Sequence, residues 1–338
     1  MLRAVTVFLA TLTVSGAARA EIDLPETFDY MGPVVQTMTG PDGRNVAFVD
    51  TGPENGQAVL FIGGTGTSAA VTRLTDFLRT MRESLDLRLV SVGRAGFGQS
   101  DPAENWSFDD YAADATAVLD HLGIRDVAIL AISGGGPYSA AFAAQNADRV
   151  RSIHLAAATA LATPSGLCQA GEAKMSEIFD DFAAHPLKWW GFPAESPTHK
   201  IPGFGSAAAD DGARTFGIAG QKGSGQAEVA EFMRYCTLPL PDVSKVSAPV
   251  YIYQGGQDTQ VTPANADRWA EVYSNVAVRR DYPDGGHDVQ YRHWDQILVD
   301  MAGMGDKLVI CRDGVSQLVP ADEAPGDGAT LGICAWQN

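Results

Sequence analysis

Short runs of aliphatic and β-branched residues alternate with longer amphipathic stretches along most of this chain. Val34–Thr39 and Arg44–Val49 flank the turn Gly40-Pro41-Asp42-Gly43, which predicts a β-hairpin. Ala58–Ile62 reads as a buried strand that stops abruptly at Gly63-Gly64-Thr65-Gly66-Thr67. From about Val71 to Ser84, Leu74, Phe77, Leu78 and Met81 fall on one face of a predicted helix. Leu89–Val92 is the next strand, Phe108–Leu122 an amphipathic helix, and Val127–Leu130 a strand apolar on both faces. Tyr138–Ala144 then reads as a helix rich in small residues, and Val150–Leu155 as a strand. From Pro164 to about Val243 strand signals vanish. Alternation resumes with Val250–Tyr253, Val276–Val278 and a helix from about Val289 to Met301. Strand–helix alternation interrupted once predicts an α/β fold, a mostly parallel doubly wound sheet flanked by helices. The core is expected over residues 21–165 and 245–303, with an inserted cap over 166–244. Residues 304–338 read as a small appendage with strand character at Lys307–Cys311 and in the stretch Leu331–Trp336.

The first twenty residues follow another logic. Arg3 is a short basic start, Ala4–Val14 an apolar run too short to span a bilayer, and Ala18-Arg19-Ala20 a small-x-small cleavage pattern. Residues 1–20 are therefore expected to be a signal peptide, and the mature protein to be periplasmic or extracellular. The net charge of −17 becomes more negative once Arg3 and Arg19 are lost, which argues against nucleic acid or anionic membrane as partners. Four cysteines, Cys168, Cys236, Cys311 and Cys334, suggest disulfides in an exported chain. Three connectivities are possible; spacing favours Cys168–Cys236 and Cys311–Cys334. Each such bridge would contribute roughly 3–4 kcal/mol in the chain-entropy model. No CxxC or HxxxH spacing is present, so neither a metal nor a cofactor is expected.

The candidate chemistry gathers at strand ends. Ala131-Ile132-Ser133-Gly134-Gly135 joins the doubly apolar strand to the small-residue helix, which forces Ser133 into a strained, protruding turn. A serine hydroxyl needs a base within hydrogen-bond reach, and the base needs an orienting acid. Of the histidines 121, 154, 185, 199, 287 and 293, only His287 sits in a glycine-rich turn after a late strand, in Tyr282-Pro283-Asp284-Gly285-Gly286-His287. His121, His154 and His293 fall within predicted elements, and His185 and His199 in the cap. Asp258 follows the strand Val250–Tyr253; Asp284 and Asp288 are rival acids too close to His287 in sequence to reach its ring comfortably. Trp189, Trp190, Phe192 and Phe204 either line an apolar substrate pocket or fix the cap to the core.

The small-x-Ser-x-small turn resembles the nucleophile elbow of the α/β-hydrolase family, with Ala131 at the first small position. Ser133, Asp258 and His287 follow that family's chain order. Gly63-Gly64-Thr65-Gly66 is similar to its H-G-x-P-G loop with Ile62 in place of histidine, and Gly93-Arg94-Ala95-Gly96-Phe97-Gly98-Gln99-Ser100-Asp101 resembles its R-P-G-F-G-x-S-D turn. The resemblance spans about residues 30–165 and 245–303. It implies a serine hydrolase with Ser133, Asp258 and His287 catalytic and the backbone amides of Gly64 and Gly134 as an oxyanion hole. Esters or lactones are the expected small-molecule substrates; amide, carbon–carbon or perhydrolase chemistry is the alternative, and a non-catalytic binder on the same scaffold a third. Dehalogenase and epoxide-hydrolase chemistry would need an aspartate where Ser133 stands.

Overall fold

The computed structural model describes residues 33–162, 166–185, 225–323 and 328–337. Within them, eight strands form one sheet in the order β1 (Val35–Thr39), β2 (Asn45–Thr51), β4 (Leu87–Val92), β3 (Gln57–Ile62), β5 (Val127–Ile132), β6 (Val150–Ala156), β7 (Val250–Gly255), β8 (Val276–Tyr282). The pairings β1–β2 and β2–β4 are antiparallel and the rest parallel. All six residues of β5 are buried, as expected of a central strand covered by helices on both faces.

One apolar layer gathers α2 (Phe108–His121), α3 (Gly136–Gln145) and α7 (Pro263–Val272) against the sheet, with Tyr111, Val118, Phe142 and Trp269 buried. Ser107 starts α2 with a reciprocal cap: its side chain accepts from Asp110 N, and Asp110 accepts from Ser107 N. The opposite layer is built from Leu74, Trp294, Ile297 and Leu298, the last three on α9 (Trp294–Met301). A separate small cluster of Met175, Phe179 and Val229 joins α5 (Glu172–Ala184) to α6 (Gln226–Thr237), both lying between β6 and β7 in the chain. Disulfides Cys168–Cys236 and Cys311–Cys334 are both present; the first links α4 (Gly166–Ala170) to α6. No described helix is long and apolar enough to cross a membrane.

Two predicted helices are interrupted. The stretch expected from about Val71 to Ser84 runs as tight 3-10 turns over Ala69–Leu78, and only α1 (Arg79–Ser84) is α-helical. Ser68 and Thr75 offer hydroxyls to nearby backbone groups there, the competition that weakens regular helix in Ser/Thr-rich starts. The last helix breaks at His293 into α8 (Val289–Arg292) and α9, with the His293 ring stacked on Tyr282 at 3.6 Å. The C-terminal residues form a three-stranded antiparallel sheet, β10 (Val315–Pro320), β9 (Lys307–Arg312), β11 (Ala329–Leu331). β10 has no signature in the sequence because neither face of it is buried, so no alternation marks it. Of the stretch Leu331–Trp336, only Leu331 is in a strand; Cys334–Gln337 is a 3-10 turn.

Candidate active site

β5 ends at Ile132, and Ser133 takes a positive φ of 50° before the chain turns into α3. A non-glycine residue held there is strained, and the strain persists because the surroundings fix it: Thr159 N–H donates to the Ser133 carbonyl at 2.8 Å. Gly134 has to lack a side chain, since a Cβ would lie 2.1 Å from Thr65 Oγ1. On the far side, β7 and β8 deliver Asp258 and His287. Their loops cross where a Cβ on Gly255 would sit 2.4 Å from the Gly286 carbonyl, so glycine permits the approach.

His287 Nε2 lies 3.0 Å from Ser133 Oγ, and its Nδ1 lies 2.8 Å from Asp258 Oδ2. Asp258 is 3% exposed, and its other oxygen accepts from the amides of Gln260 and Val261, each at 2.9 Å. Both of its oxygens are thereby aimed. With Nδ1–H donated to the carboxylate, Nε2 is left with a lone pair facing the serine hydroxyl. The structure thus brings the three residues singled out in the sequence into one hydrogen-bonded chain. Asp288 is buried and lines the same cavity, but the carboxylate on the His287 ring belongs to Asp258.

The chain opens into a cavity of about 1130 Å³ lined by Gly64, Thr65, Leu167, Phe232 and Leu240, among others. Gly64 and Gly134 both face it, and the Thr65 amide nitrogen lies 2.9 Å from where a Gly134 Cβ would be. Trp189, Trp190, Phe192, Phe204 and His199 lie outside the described residues. His185 is exposed and pairs with Asp181 at 3.0 Å; it is not among the residues lining the cavity. His154 is fully buried against Tyr253, and burial lowers its pKa to about 3. His121 ends α2 with its ring edge-on to Phe48.

Glu228 and Tyr235 line the cavity and Glu231 is buried on the same helix, none of them singled out in the sequence. Glu228, Glu231 and Tyr235 share the inner face of α6; their i, i+3, i+7 spacing was legible, but a polar face reads as solvated until its neighbours are known. Glu231 is fully buried and its Oε1 lies 2.8 Å from Arg94 Nε. Burial alone would lower the Arg94 pKa, but the Glu231 charge holds it above its ordinary value. Burial, reinforced by Glu231, pushes the Glu228 carboxyl well above the usual range.

Residues 58–293 match the family model described as alpha/beta hydrolase fold. A non-heme chloroperoxidase of Streptomyces lividans is 28% identical over 72% of this chain and 90% of its own length. A non-heme haloperoxidase of Rhodococcus erythropolis is 25% identical over 78% of this chain and 97% of its own. Among solved structures, an esterase from Exiguobacterium antarcticum superposes with a TM-score of 0.63 at 16% identity, covering 80% of this chain and 98% of that one. The enol-lactonase from Burkholderia xenovorans LB400 gives 0.62 at 18% identity over 80% and 99%. A family match across more than half the sequence, on this sheet order and strand-end serine, makes the chain a member of the α/β-hydrolase fold family of enzymes.

Proposed function

We propose that this protein is an exported serine hydrolase that cleaves a carboxylic ester or lactone through an acyl-enzyme. The observation that carries the reading is the hydrogen-bonded chain Ser133–His287–Asp258, whose serine and histidine line the cavity. His287 takes the hydroxyl proton as Ser133 Oγ attacks the substrate carbonyl, and Asp258 steadies the imidazolium that forms. The carbonyl oxygen becomes negative and is bound by backbone N–H groups: Gly134 from the elbow, Gly64 from the loop after β3, with Thr65 N–H beside it. Collapse expels the alcohol, which receives its proton from His287. Water, activated by the same ring, then frees Ser133 and the acid. Substrate choice belongs to the inserted cap, residues 166–244, whose aromatics Trp189, Trp190, Phe192 and Phe204 are the candidate pocket lining. Residues 1–20 act as the signal peptide, and the two disulfides are consistent with an oxidising destination.

Reaction of the intact protein with a fluorophosphonate probe tests the assignment. Labelling is expected, and is expected to vanish in Ser133→Ala. No labelling of the wild type would refute the nucleophile.

The haloperoxidase names of the curated relatives favour a second reading of the same site, in which hydrogen peroxide replaces water in deacylation. Peroxide oxygen would attack the Ser133 ester, His287 would return the proton to Ser133 Oγ, and a peracid would leave. Bromide oxidation that requires both acetate and peroxide, and that exceeds ester hydrolysis, would support this reading over the first.

A further inference from the structure

The loop Gly63-Gly64-Thr65-Gly66 carries one side chain with any bulk, so it has little of its own to pack and its conformation must be held from outside. Arg94 does part of this from one side. Its guanidinium donates to the Gly63 carbonyl at 2.8 Å and to the Gly64 carbonyl at 2.5 Å. In a trans peptide the C=O of one residue and the N–H of the next point in opposite directions. Tying these two oxygens to Arg94 therefore turns the N–H groups of Gly64 and Thr65 away from it. Those are the amides assigned above to the oxyanion.

Arg94 is itself held by a residue far away in the chain. Glu231, fully buried on α6, pairs with Arg94 through Oε1 at 2.8 Å and accepts from Gly66 N–H through Oε2 at 2.9 Å. One carboxylate thus grips both the arginine that orients the loop and the loop's far end. Four residues on, Tyr235 reaches the other donor segment: its hydroxyl donates to the Gly134 carbonyl at 2.9 Å, and the Thr65 side chain also hydrogen-bonds it. A buried ion pair costs desolvation and is weak evidence of stabilisation by itself. What marks this one is its partners, which are backbone groups of the loop after β3, while Tyr235 on the same helix reaches the elbow.

We propose that Glu231 and Tyr235 are positioning residues for the oxyanion site, so that α6 sets the geometry of catalysis as well as enclosing the substrate. Glu231 acts through Arg94 and Gly66 on the Gly64 and Thr65 amides; Tyr235 fixes the separation of Thr65 and Gly134. The proposal rests on the acyl-transfer reading above. It predicts a loss confined to the transition state, because Glu231 is outside the cavity lining and the Tyr235 hydroxyl, though on the cavity wall, is engaged by the Gly134 carbonyl.

The test uses the full mature chain, an activated ester, and a trifluoromethyl ketone, which forms a serine-bound oxyanion. Wild type and Ser133→Ala are first treated with the fluorophosphonate; absent labelling of the wild type overturns the reading and the proposal together. In Glu231→Gln, kcat per titrated active site should fall about tenfold or more, with KM within about threefold of wild type. Affinity for the ketone should fall by the same factor as kcat/KM, and affinity for the product acid should hold. Wild-type labelling together with unchanged kcat and ketone affinity, whatever happens to the melting temperature, would overturn this proposal alone. Should Glu231→Gln fail to fold, Tyr235→Phe decides. It keeps the ring against Phe108 and loses only the hydroxyl. A drop in kcat and ketone affinity of about threefold or more is expected, and unchanged values would sink the proposal.

Discussion

Ser133 is held at a φ that serine rarely adopts, and its neighbours explain how. The Thr159 amide pins its carbonyl and the lack of a Cβ at Gly134 lets Thr65 come close. Gly134→Ala would drive a methyl to 2.1 Å from Thr65 Oγ1 and into the region of Tyr235. Its effect on kcat should be about 10²-fold or more, the size associated with losing an oxyanion donor, while the melting temperature falls only modestly. Wild-type-like kcat in that variant would show that the two segments separate without penalty. Burial lowers the pKa of the fully buried His154 to about 3, and that of His293, half-buried under Tyr282, to a similar value, far below an exposed imidazole. Between about pH 6.5 and that value the unfolded chain binds protons that the folded one does not, so each histidine makes stability fall as pH falls. Each contributes a slope of at most about 1.4 kcal/mol per pH unit. His293→Phe keeps an aromatic ring over Tyr282, so urea titrations from pH 6.5 to 4 should show a shallower slope than wild type. Parallel slopes would contradict the burial argument.

At the level of elements, β8 and α9 are joined by a buried network. Arg280 donates to Asp300 at 2.7 and 2.8 Å, Tyr253 donates to Asp300 at 2.8 Å, and the Tyr253 hydroxyl meets His154 Nδ1 at 2.9 Å. Burial raises the Asp300 pKa despite the Arg280 guanidinium beside it. Asp300→Asn would leave Arg280 without its carboxylate in a partly buried site, at a cost of about 3 kcal/mol. Chemical denaturation should register it as a lowered midpoint with an unchanged m-value. Activity per folded molecule should be preserved, since Asp300, Arg280, Tyr253 and His154 are not among the residues lining the cavity. α6 is the opposite case. Its inner face touches Gly66 and Gly134 directly, so substitutions at Glu231 and Tyr235 are expected to act on kcat.

For the whole molecule, the C-terminal sheet is tied into the main body. Gln296 on α9 bonds the Lys307 carbonyl and the Val309 amide, Asp295 accepts from Ile333 N–H, and Arg280 reaches the Gly305 and Lys307 carbonyls. Removing residues 304–338 would leave Asp295 and Gln296, both buried, without these partners. The truncated chain should be insoluble or melt roughly 10 °C or more below wild type. Survival with an unchanged melting temperature would make the sheet a dispensable appendage. The bridge Cys168–Cys236 closes a span of 68 residues within the proposed cap. Replacing both cysteines by alanine should cost about 2–4 kcal/mol in thermal or urea unfolding. It should also reduce kcat, because Cys236 immediately follows Tyr235.

Periodicity and punctuation alone were enough to place the parallel core strands, the hairpin, the elbow at Ser133 and the post-strand positions of Asp258 and His287. Those features are local: a strand buried on both faces is continuously apolar, a strained turn needs small residues, and chemistry at a sheet edge must follow a strand. Tertiary contact decided the rest. The break at His293 comes where its ring stacks on Tyr282 from another element, and β10 carries no alternation because neither of its faces is buried. The polar face of α6 reads as a solvated surface in sequence; it is buried because Arg94, Gly66 and Gly134, each more than 90 residues away along the chain, lie against it. Whether a charged side chain meets water or a buried partner depends on distances through space, which residue spacing along a helix does not encode.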